Sequence, residues 1–137
     1  MASWQSYISN LTDGVVESAA ICGFASGAES VWASTTDLAC IAKEEIRKMA
    51  HDRKDFPING AYLGGRKCRF LRDQMDVEDF FLCTFKTAQA ADGTTVNVCV
   101  GKTKQALVIA FAKKDVSGGP LNESVYKIVK YLRETGF

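Results

Sequence analysis

Aromatic residues near the two ends of the chain are the strongest chemical signal in this sequence. Trp4 and Tyr7 lie close to the start, and Tyr131 and Phe137 lie close to the finish. Chain ends are usually frayed and polar unless they are docked, so rings at both ends predict docked termini that share a surface. Indole and phenol rings pack against proline rings, and they also donate hydrogen bonds to the free carbonyls of a proline helix.

Trp32 is a fifth ring that fits the same surface. It lies between Ser30 and Ser34 on one face of a predicted strand, and Val31 and Ala33 alternate onto the other face. Small polar neighbours leave room for a large exposed ring. The predicted groove for an extended proline-rich ligand is therefore lined by Trp4, Tyr7, Trp32, Tyr131 and Phe137.

Residues that could carry catalysis or bind a metal are scarce. His51 is the one histidine and lies in a charged run, where a surface role is expected. Gly101-Lys102-Thr103 matches the end of a phosphate-binding loop, but Val96 occupies the position that requires the first glycine. Five dispersed cysteines favour buried thiols in a reducing compartment over a disulfide framework or a zinc site. We therefore expect no catalytic site, no metal and no cofactor.

Composition limits the class of protein further. The chain has 137 residues, 47% of them apolar, and a formal net charge of +1. This size and apolar content predict one globular domain over residues 1–137. The near-neutral charge argues against nucleic acid as a ligand. The apolar run from Ala106 to Ala112 is too short to cross a bilayer, and no secretory leader is evident, so the expected location is the cytoplasm.

Hydrophobic periodicity assigns the first half of the chain to helices and short strands. Trp4, Tyr7, Ile8 and Leu11 have helical spacing, with Ser3 as the predicted N-cap. For this helix taken alone, a core role for its rings is the stronger interpretation. The other predicted elements are helices at 15–20 and 43–50, strands at 21–24 and 30–34, and a solvated charge run at 51–55.

The second half of the chain predicts an antiparallel meander followed by a helix. Strand-like runs alternate with turn signals at 58–63, 67–71, 80–87, 95–100 and 106–112. The last of these runs is apolar on both alternating faces, so helices must cover both faces of the sheet. The final helix is predicted to open at Pro120 with Asn122 as its cap, and Gly136 lies where helices end.

Two further features of the sequence point to a second surface. Tyr126 and Tyr131 are separated by about 140° around the last helix, so the two rings face different surroundings. Four basic residues on predicted neighbouring strands form either a basic patch or scattered solubilising charge, and their spacing leaves both alternatives open. They are Lys67, Arg69, Arg72 and Lys86.

The whole chain resembles the profilin family. The segments that carry the resemblance are Trp4-Gln5-Ser6-Tyr7-Ile8, Val31-Trp32-Ala33, Asn59-Gly60, Leu63-Gly64-Gly65-Arg66-Lys67-Cys68, Arg72-Asp73, Gly118-Gly119 with Asn122, and Leu132-Arg133-Glu134-Thr135-Gly136-Phe137. The resemblance implies an α+β fold, in which the N- and C-terminal helices pack on one face of a central antiparallel β-sheet meander and smaller helices cover the other. It also implies three partners: monomeric actin, proline-rich proteins such as actin assembly factors, and phosphoinositide lipids.

The resemblance assigns candidate residues to each partner. The proline-binding residues are the five rings named above. The implied actin-binding residues are Lys67, Arg69, Phe70, Arg72, Lys86, Asn97, Val116, Gly119, Asn122, Tyr126 and Lys127. The implied lipid contacts are Lys86 and Arg133.

Four positions depart from the vertebrate pattern of the family. Tyr131 stands where a histidine is familiar, and Phe137 replaces a tyrosine, which keeps the stacking ring and removes one hydroxyl. Ser117 replaces a histidine and Glu123 replaces a lysine on the implied actin face. Reversal of a charge at the rim of an interface alters association more than it abolishes binding.

Together these patterns predict a monomeric, non-enzymatic protein of the cytoplasm and cytoskeleton. We expect it to bind monomeric actin and proline-rich ligands and to regulate actin polymerisation. The resemblance further implies promotion of actin nucleotide exchange and binding of phosphoinositides. The alternative function is a signalling adaptor that binds proline-rich or phosphoinositide ligands without significant actin binding, and an enzyme with a reactive cysteine is a third, more distant alternative.

Overall fold

The computed structural model describes residues 4–89 and 91–137 as an α+β fold built on one sheet. Its helices are α1 (Trp4–Thr12), α2 (Lys43–His51), α3 (Phe56–Asn59) and α4 (Gly118–Glu134). Its strands are β1 (Val16–Gly23), β2 (Ser30–Ser34), β3 (Ala61–Leu63), β4 (Arg66–Gln74), β5 (Leu82–Thr87), β6 (Asn97–Lys102) and β7 (Ala106–Ala112). Ser3, the predicted cap of the first helix, lies outside the described residues.

Neighbouring strands of this sheet are antiparallel. The spatial order is β2-β1-β7-β6-β5-β4-β3, so β3 to β7 form the predicted meander and β1 pairs with β7. Ala19 lies opposite Ala110 in that pair. The pairing brings the strand that follows α1 next to the strand that precedes α4, and the predicted fold class is confirmed.

Two hydrophobic cores lie on opposite faces of the sheet. On β7, Leu107, Ile109 and Phe111 belong to the core that α2 and α3 close. Val108 and Ala110 belong to the other core, which α1 and α4 close. Every residue of β7 is buried, as its uninterrupted apolar sequence predicts. The terminal helices therefore share one face of the sheet, and the smaller helices cover the other.

Two predicted elements are wrong. The predicted helix at 15–20 belongs to β1, because burial of this strand between two helical layers overrides the helical preference of its alanines. The predicted strand at 58–63 starts instead as α3, which has Pro57 in its first turn. Gly60, with a φ of 72°, then separates α3 from β3.

The last helix starts earlier than its sequence signals predict. It begins at Gly118 with Ser117 in the N-cap position, rather than at Pro120 with Asn122 as the cap. Proline is tolerated inside the first turn because the N–H groups of that turn have no intrahelical partner. Asn122 consequently lies within the helix.

Two further predictions fail around the turn between β4 and β5. The charge run at 51–55 is not fully solvated, since the Arg53 side chain is only 7% exposed and forms ion pairs with Asp73 and Asp76. The predicted strand at 80–87 begins only at Leu82. Phe81 has a φ of 55°, which is incompatible with extended backbone, so the turn continues up to β5.

Gly101 on β6 sets how closely α4 approaches the sheet. A Cβ atom at this position would overlap the side chain of Val129 and would lie 2.9 Å from Cγ1 of Val125. Both valines are fully buried in α4. The absence of a side chain at Gly101 therefore allows the helix to pack directly on the strand.

We expect Gly101→Ala to destabilise the fold by about 1–3 kcal/mol, because the added methyl group overpacks the contact between α4 and β6. Chemical denaturation followed by circular dichroism measures this change in the free energy of unfolding. Gly118→Ala is the matched control, since a Cβ there meets no atom within 4 Å. Equal stability of the two variants would contradict the close approach of α4.

Candidate binding surfaces

The five predicted groove residues form one continuous cluster of rings. The Trp4 ring centroid lies 5.0 Å from that of Trp32, 5.6 Å from that of Tyr7 and 5.3 Å from that of Phe137. Tyr7 in turn lies 6.3 Å from Tyr131. The structure therefore brings together all five rings that the sequence analysis selected, and we call this set the ring cluster.

Three elements and the C-terminal segment position the ring cluster. Trp4 and Tyr7 lie on α1, Trp32 lies on β2, and Tyr131 lies near the end of α4. Trp4, Tyr7 and Trp32 are half-buried, whereas Tyr131 and Phe137 are 53% and 40% exposed. Burial raises the pKa of the Tyr7 phenol, and the neighbouring Tyr131 raises it further. Tyr7 therefore keeps its hydroxyl proton at neutral pH and can donate a hydrogen bond.

A β-bulge directs Trp32 toward α1. In the pairing of β1 with β2, Ile21 lies opposite Ala33 and Cys22 lies opposite Val31, so Trp32 is an extra residue on β2. The predicted simple alternation along this strand is therefore interrupted. Val31 packs on the α2 side of the sheet, whereas Trp32 packs with the core that α1 and α4 close.

Gly23 on β1 supports the ring cluster, a role that was not predicted from the sequence. A Cβ at this position would lie 2.6 Å from three atoms of the Trp32 indole. The ring therefore occupies the space that any other residue at Gly23 would fill. A glycine inside a strand often marks such a close approach, and this was the available sequence signal.

Hydrogen bonds to the turn between β6 and β7 hold Phe137 in place. The Thr103 hydroxyl donates to the backbone oxygen of Phe137 at 2.6 Å, and the Gln105 N–H donates to the same oxygen at 2.7 Å. The Phe137 N–H donates to the Leu132 carbonyl at 2.8 Å. Thr103 is only 1% exposed. In the sequence, Thr103 is visible only as part of the rejected phosphate-loop match, so this role was not predicted.

A second surface lies on the part of the sheet that α1 and α4 leave open. Arg69 lies opposite Lys86, and Lys86 lies opposite Asn97, in one row across β4, β5 and β6. Lys67 lies two residues from Arg69 and shares its face, and Arg72 lies opposite Thr84 on the same face. We call Lys67, Arg69, Arg72 and Lys86 the basic row, and all four are exposed.

The loop before α4 continues this surface. The Asn97 side-chain amide donates a hydrogen bond to the Val116 carbonyl at 3.0 Å, which ties the sheet to the start of the helix. The remaining implied actin residues on α4 are exposed or half-buried: Gly119, Asn122, Tyr126 and Lys127. Phe70 is the exception among the implied residues. Its ring lies 6.0 Å from Phe85, on the opposite face of the sheet.

The structure separates the two implied lipid contacts. The Arg133 guanidinium donates two hydrogen bonds to the Lys102 carbonyl, at 2.9 and 2.7 Å, and stacks 3.4 Å from the centroid of Phe81. Lys86 pairs with Asn97, at the opposite end of β6. A strand of this length puts about 17 Å between these ends. Lys86 and Arg133 therefore do not form one site.

Tyr126 and Tyr131 face different surroundings, as their helical spacing predicts. Tyr131 contacts Tyr7 in the ring cluster. Tyr126 lines a hollow of about 210 Å³ between α4 and the turn that precedes β5, together with Phe81 and Arg133. One helix thus contributes to both surfaces.

The cysteines are mostly core residues. Cys22, Cys68, Cys83 and Cys99 are buried, and burial raises the pKa of the first three thiols to about 12. Burial also raises the pKa of the Cys99 thiol. Cys40 is exposed. In residues 4–89 and 91–137, no cluster of three histidine, cysteine or acidic side chains could hold a metal ion. None of the helices described is long and apolar enough to span a membrane.

Comparison with known proteins identifies the family. The Profilin family model matches residues 2–137, and this chain belongs to that family. Profilin-2 from Rattus norvegicus is 40% identical over 141 residues, with both chains covered completely. Mouse Profilin IIa, solved in complex with a double repeat from the FH1 domain of mDia1, is 39% identical with a TM-score of 0.91, covering 99% of this chain and 100% of that one. LokiProfilin1, solved with rabbit actin, shares the fold at 12% identity with a TM-score of 0.62, covering 95% and 93% of the two chains.

We expect Gly23→Ala to displace the Trp32 indole and to weaken binding of a proline-rich peptide about tenfold, because a buried ring at an interface is a typical hot spot. Both tryptophans of the chain lie in the ring cluster, so intrinsic fluorescence reports the displacement and the titration. Gly14→Ala is the control, since its Cβ would meet its nearest neighbour at 3.8 Å. An unchanged emission spectrum and affinity in Gly23→Ala would contradict this role for Gly23.

Proposed function

We propose that this profilin binds proline-rich ligands in the ring cluster. The observation that carries the proposal is the continuous contact of five rings from α1, β2, α4 and the C-terminal segment. A proline helix has three residues per turn and unpaired carbonyls, so flat rings with N–H and O–H donors complement it. The FH1 repeat bound to mouse Profilin IIa, at 39% identity, supports this choice of ligand.

Monomeric actin is the proposed second ligand, and its site is the basic row with Asn97, Val116 and the exposed side of α4. Family membership supports this choice, and the uncovered sheet face offers a broad positive surface for an acidic partner. The regulation of actin polymerisation and the promotion of nucleotide exchange by actin follow as part of the same proposal. Phe70 lies on the opposite face of the sheet, so its proposed contribution to the actin site is indirect, through its packing against Phe85.

Phosphoinositide headgroups are the proposed third ligand. Lys86 is the exposed candidate, because it lies in the basic row beside Arg69. Arg133 is half-buried and already donates two hydrogen bonds to Lys102, so its role in lipid binding is secondary. Since Lys86 is also proposed to contact actin, the lipid and actin would compete for this part of the surface.

We further propose that residues 1–137 act as a single non-enzymatic, monomeric domain in the cytoplasm, at the actin cytoskeleton. An adaptor that binds proline-rich or lipid ligands without actin is the second candidate. One observation favours it: Lys127, an implied actin contact, forms an ion pair with Glu123 at 3.4 Å. Both side chains are exposed, so this pair contributes little energy and leaves actin binding the better-supported function.

We expect Trp4→Ala to weaken polyproline binding by about 2 kcal/mol or more, because Trp4 contacts three other rings at the centre of the cluster. Isothermal titration with a polyproline peptide measures the loss. Thermal unfolding of the same variant separates a binding defect from a folding defect, since Trp4 also packs on the core. A folded variant with wild-type affinity would show that the ring cluster is not the proline-binding site.

Tyr126 and Tyr131 form a matched pair that tests both surfaces. Titration of the wild-type protein with monomeric actin first tests the proposed function itself, and absence of binding would favour the adaptor. We expect Tyr126→Ala to weaken actin binding and spare polyproline, and Tyr131→Ala to do the reverse, because Tyr131 contacts the ring cluster and Tyr126 lines the hollow beside the turn before β5. Distant sites act almost additively, so competition between saturating polyproline and actin would contradict separate surfaces.

A further inference from the structure

Arg53 forms a buried polar hub between α2 and the turn that joins β4 to β5. Its side chain is 7% exposed. Nη1 donates to the carbonyls of Met49 and Ala50 near the end of α2, at 2.9 and 3.0 Å. Nε donates to the Asp73 carboxylate at 2.9 Å, and Nη2 donates to the Asp76 carboxylate at 2.6 Å. The planar fork of the guanidinium thereby fastens a helix end to a strand and to the turn that follows it.

The ion pair with Asp73 fixes the orientation of the next residue toward the N-terminus, Arg72. Leu71 is an extra residue on β4, because Phe70 lies opposite Phe85 while Arg72 lies opposite Thr84. An extra residue shifts the alternation of side chains by one position, so another contact must determine which of the following residues face each side of the sheet. Arg53 holds Asp73 on the face covered by α2, so Arg72 must point to the open face with the rest of the basic row.

The ion pair with Asp76 anchors one end of a turn with unfavourable backbone geometry. Asp79 and Phe81 have φ values of 72° and 55°, a left-handed conformation that is uncommon for residues with side chains and unfavourable for a bulky one such as Phe81. At the other end of the turn, the Phe81 ring lies under the Arg133 guanidinium. The turn exposes Phe80 and borders the hollow that Tyr126 lines.

We propose that Arg53 is a positioning residue for the actin-binding surface. It contacts no partner itself, but through Asp73 and Asp76 it presents Arg72 and the turn before β5 in the geometry that the partner meets. This inference rests on the proposed binding of actin. The ring cluster is built from other elements, so its ligand is independent of Arg53.

The test compares two arginines associated with α2. Arg53→Gln removes the hub, whereas Arg47→Gln removes an ion pair with Glu29 that lies away from the turn. We expect Arg53→Gln to bind monomeric actin about tenfold more weakly and polyproline within about twofold of wild type, while Arg47→Gln changes neither. Hydrogen exchange at the amides of Val77, Phe80 and Phe81 should become faster in Arg53→Gln alone, because these amides donate to the carbonyls of Gln74, at the end of β4, and of Val77, in the turn.

Asp76→Asn serves as a second variant if Arg53→Gln fails to fold. The Asp76 side chain is 77% exposed, so its replacement leaves the core intact. We expect about threefold weaker actin binding with unchanged polyproline binding. Unchanged actin affinity in folded Arg53→Gln, or in Asp76→Asn where Arg53→Gln does not fold, would overturn the proposal. So would an equal loss of both ligands. Failure of the wild-type protein to bind actin would instead overturn the proposed function.

Discussion

Burial of β7 on both faces is the constraint on which the rest of this structure depends. Seven consecutive apolar residues must be shielded from water, so a helical layer is required on each side of the sheet. β1 pairs with β7, and the helices connected to these two strands, α1 and α4, pack on the same side. The two ends of the chain meet there as a direct result, and their aromatic residues form one cluster.

The width of the sheet separates the second surface from the first. Two helices cannot cover seven strands, and α1 and α4 pack over β1, β2, β6 and β7. On the same face of β4 and β5, Leu82 packs against the core under α4, but the four residues of the basic row are exposed to solvent. On α4, Tyr131 contacts the ring cluster, whereas Tyr126 lines the hollow beside the turn that precedes β5. Separate surfaces on one small domain thus follow from incomplete coverage of a single sheet.

Much of this arrangement was predictable from the sequence because it depends on local patterns. The apolar run of β7, the stripe of α4 and the rings near both ends are visible as composition and spacing. The start of β1 and the presence of α3 were not predictable in this way. Tertiary burial decides the first, and Gly60, with its positive φ, separates α3 from the strand that follows. Arg53 was assigned to solvent because its partners, Asp73 and Asp76, are distant in sequence. Gly23 and Thr103 were missed for a similar reason, since each acts on a residue of another element.

The pairing of β1 with β7 also determines how the chain must fold. Ala19 meets Ala110, so this pair of strands closes only after nearly all the intervening chain is available. Folding rates fall as such non-local pairings come to dominate a topology. Until β7 arrives, β1 exposes two apolar faces and unpaired backbone groups, the features that drive aggregation of partly folded chains. A delay in the pairing of β7 therefore leaves the partly folded chain exposed to aggregation.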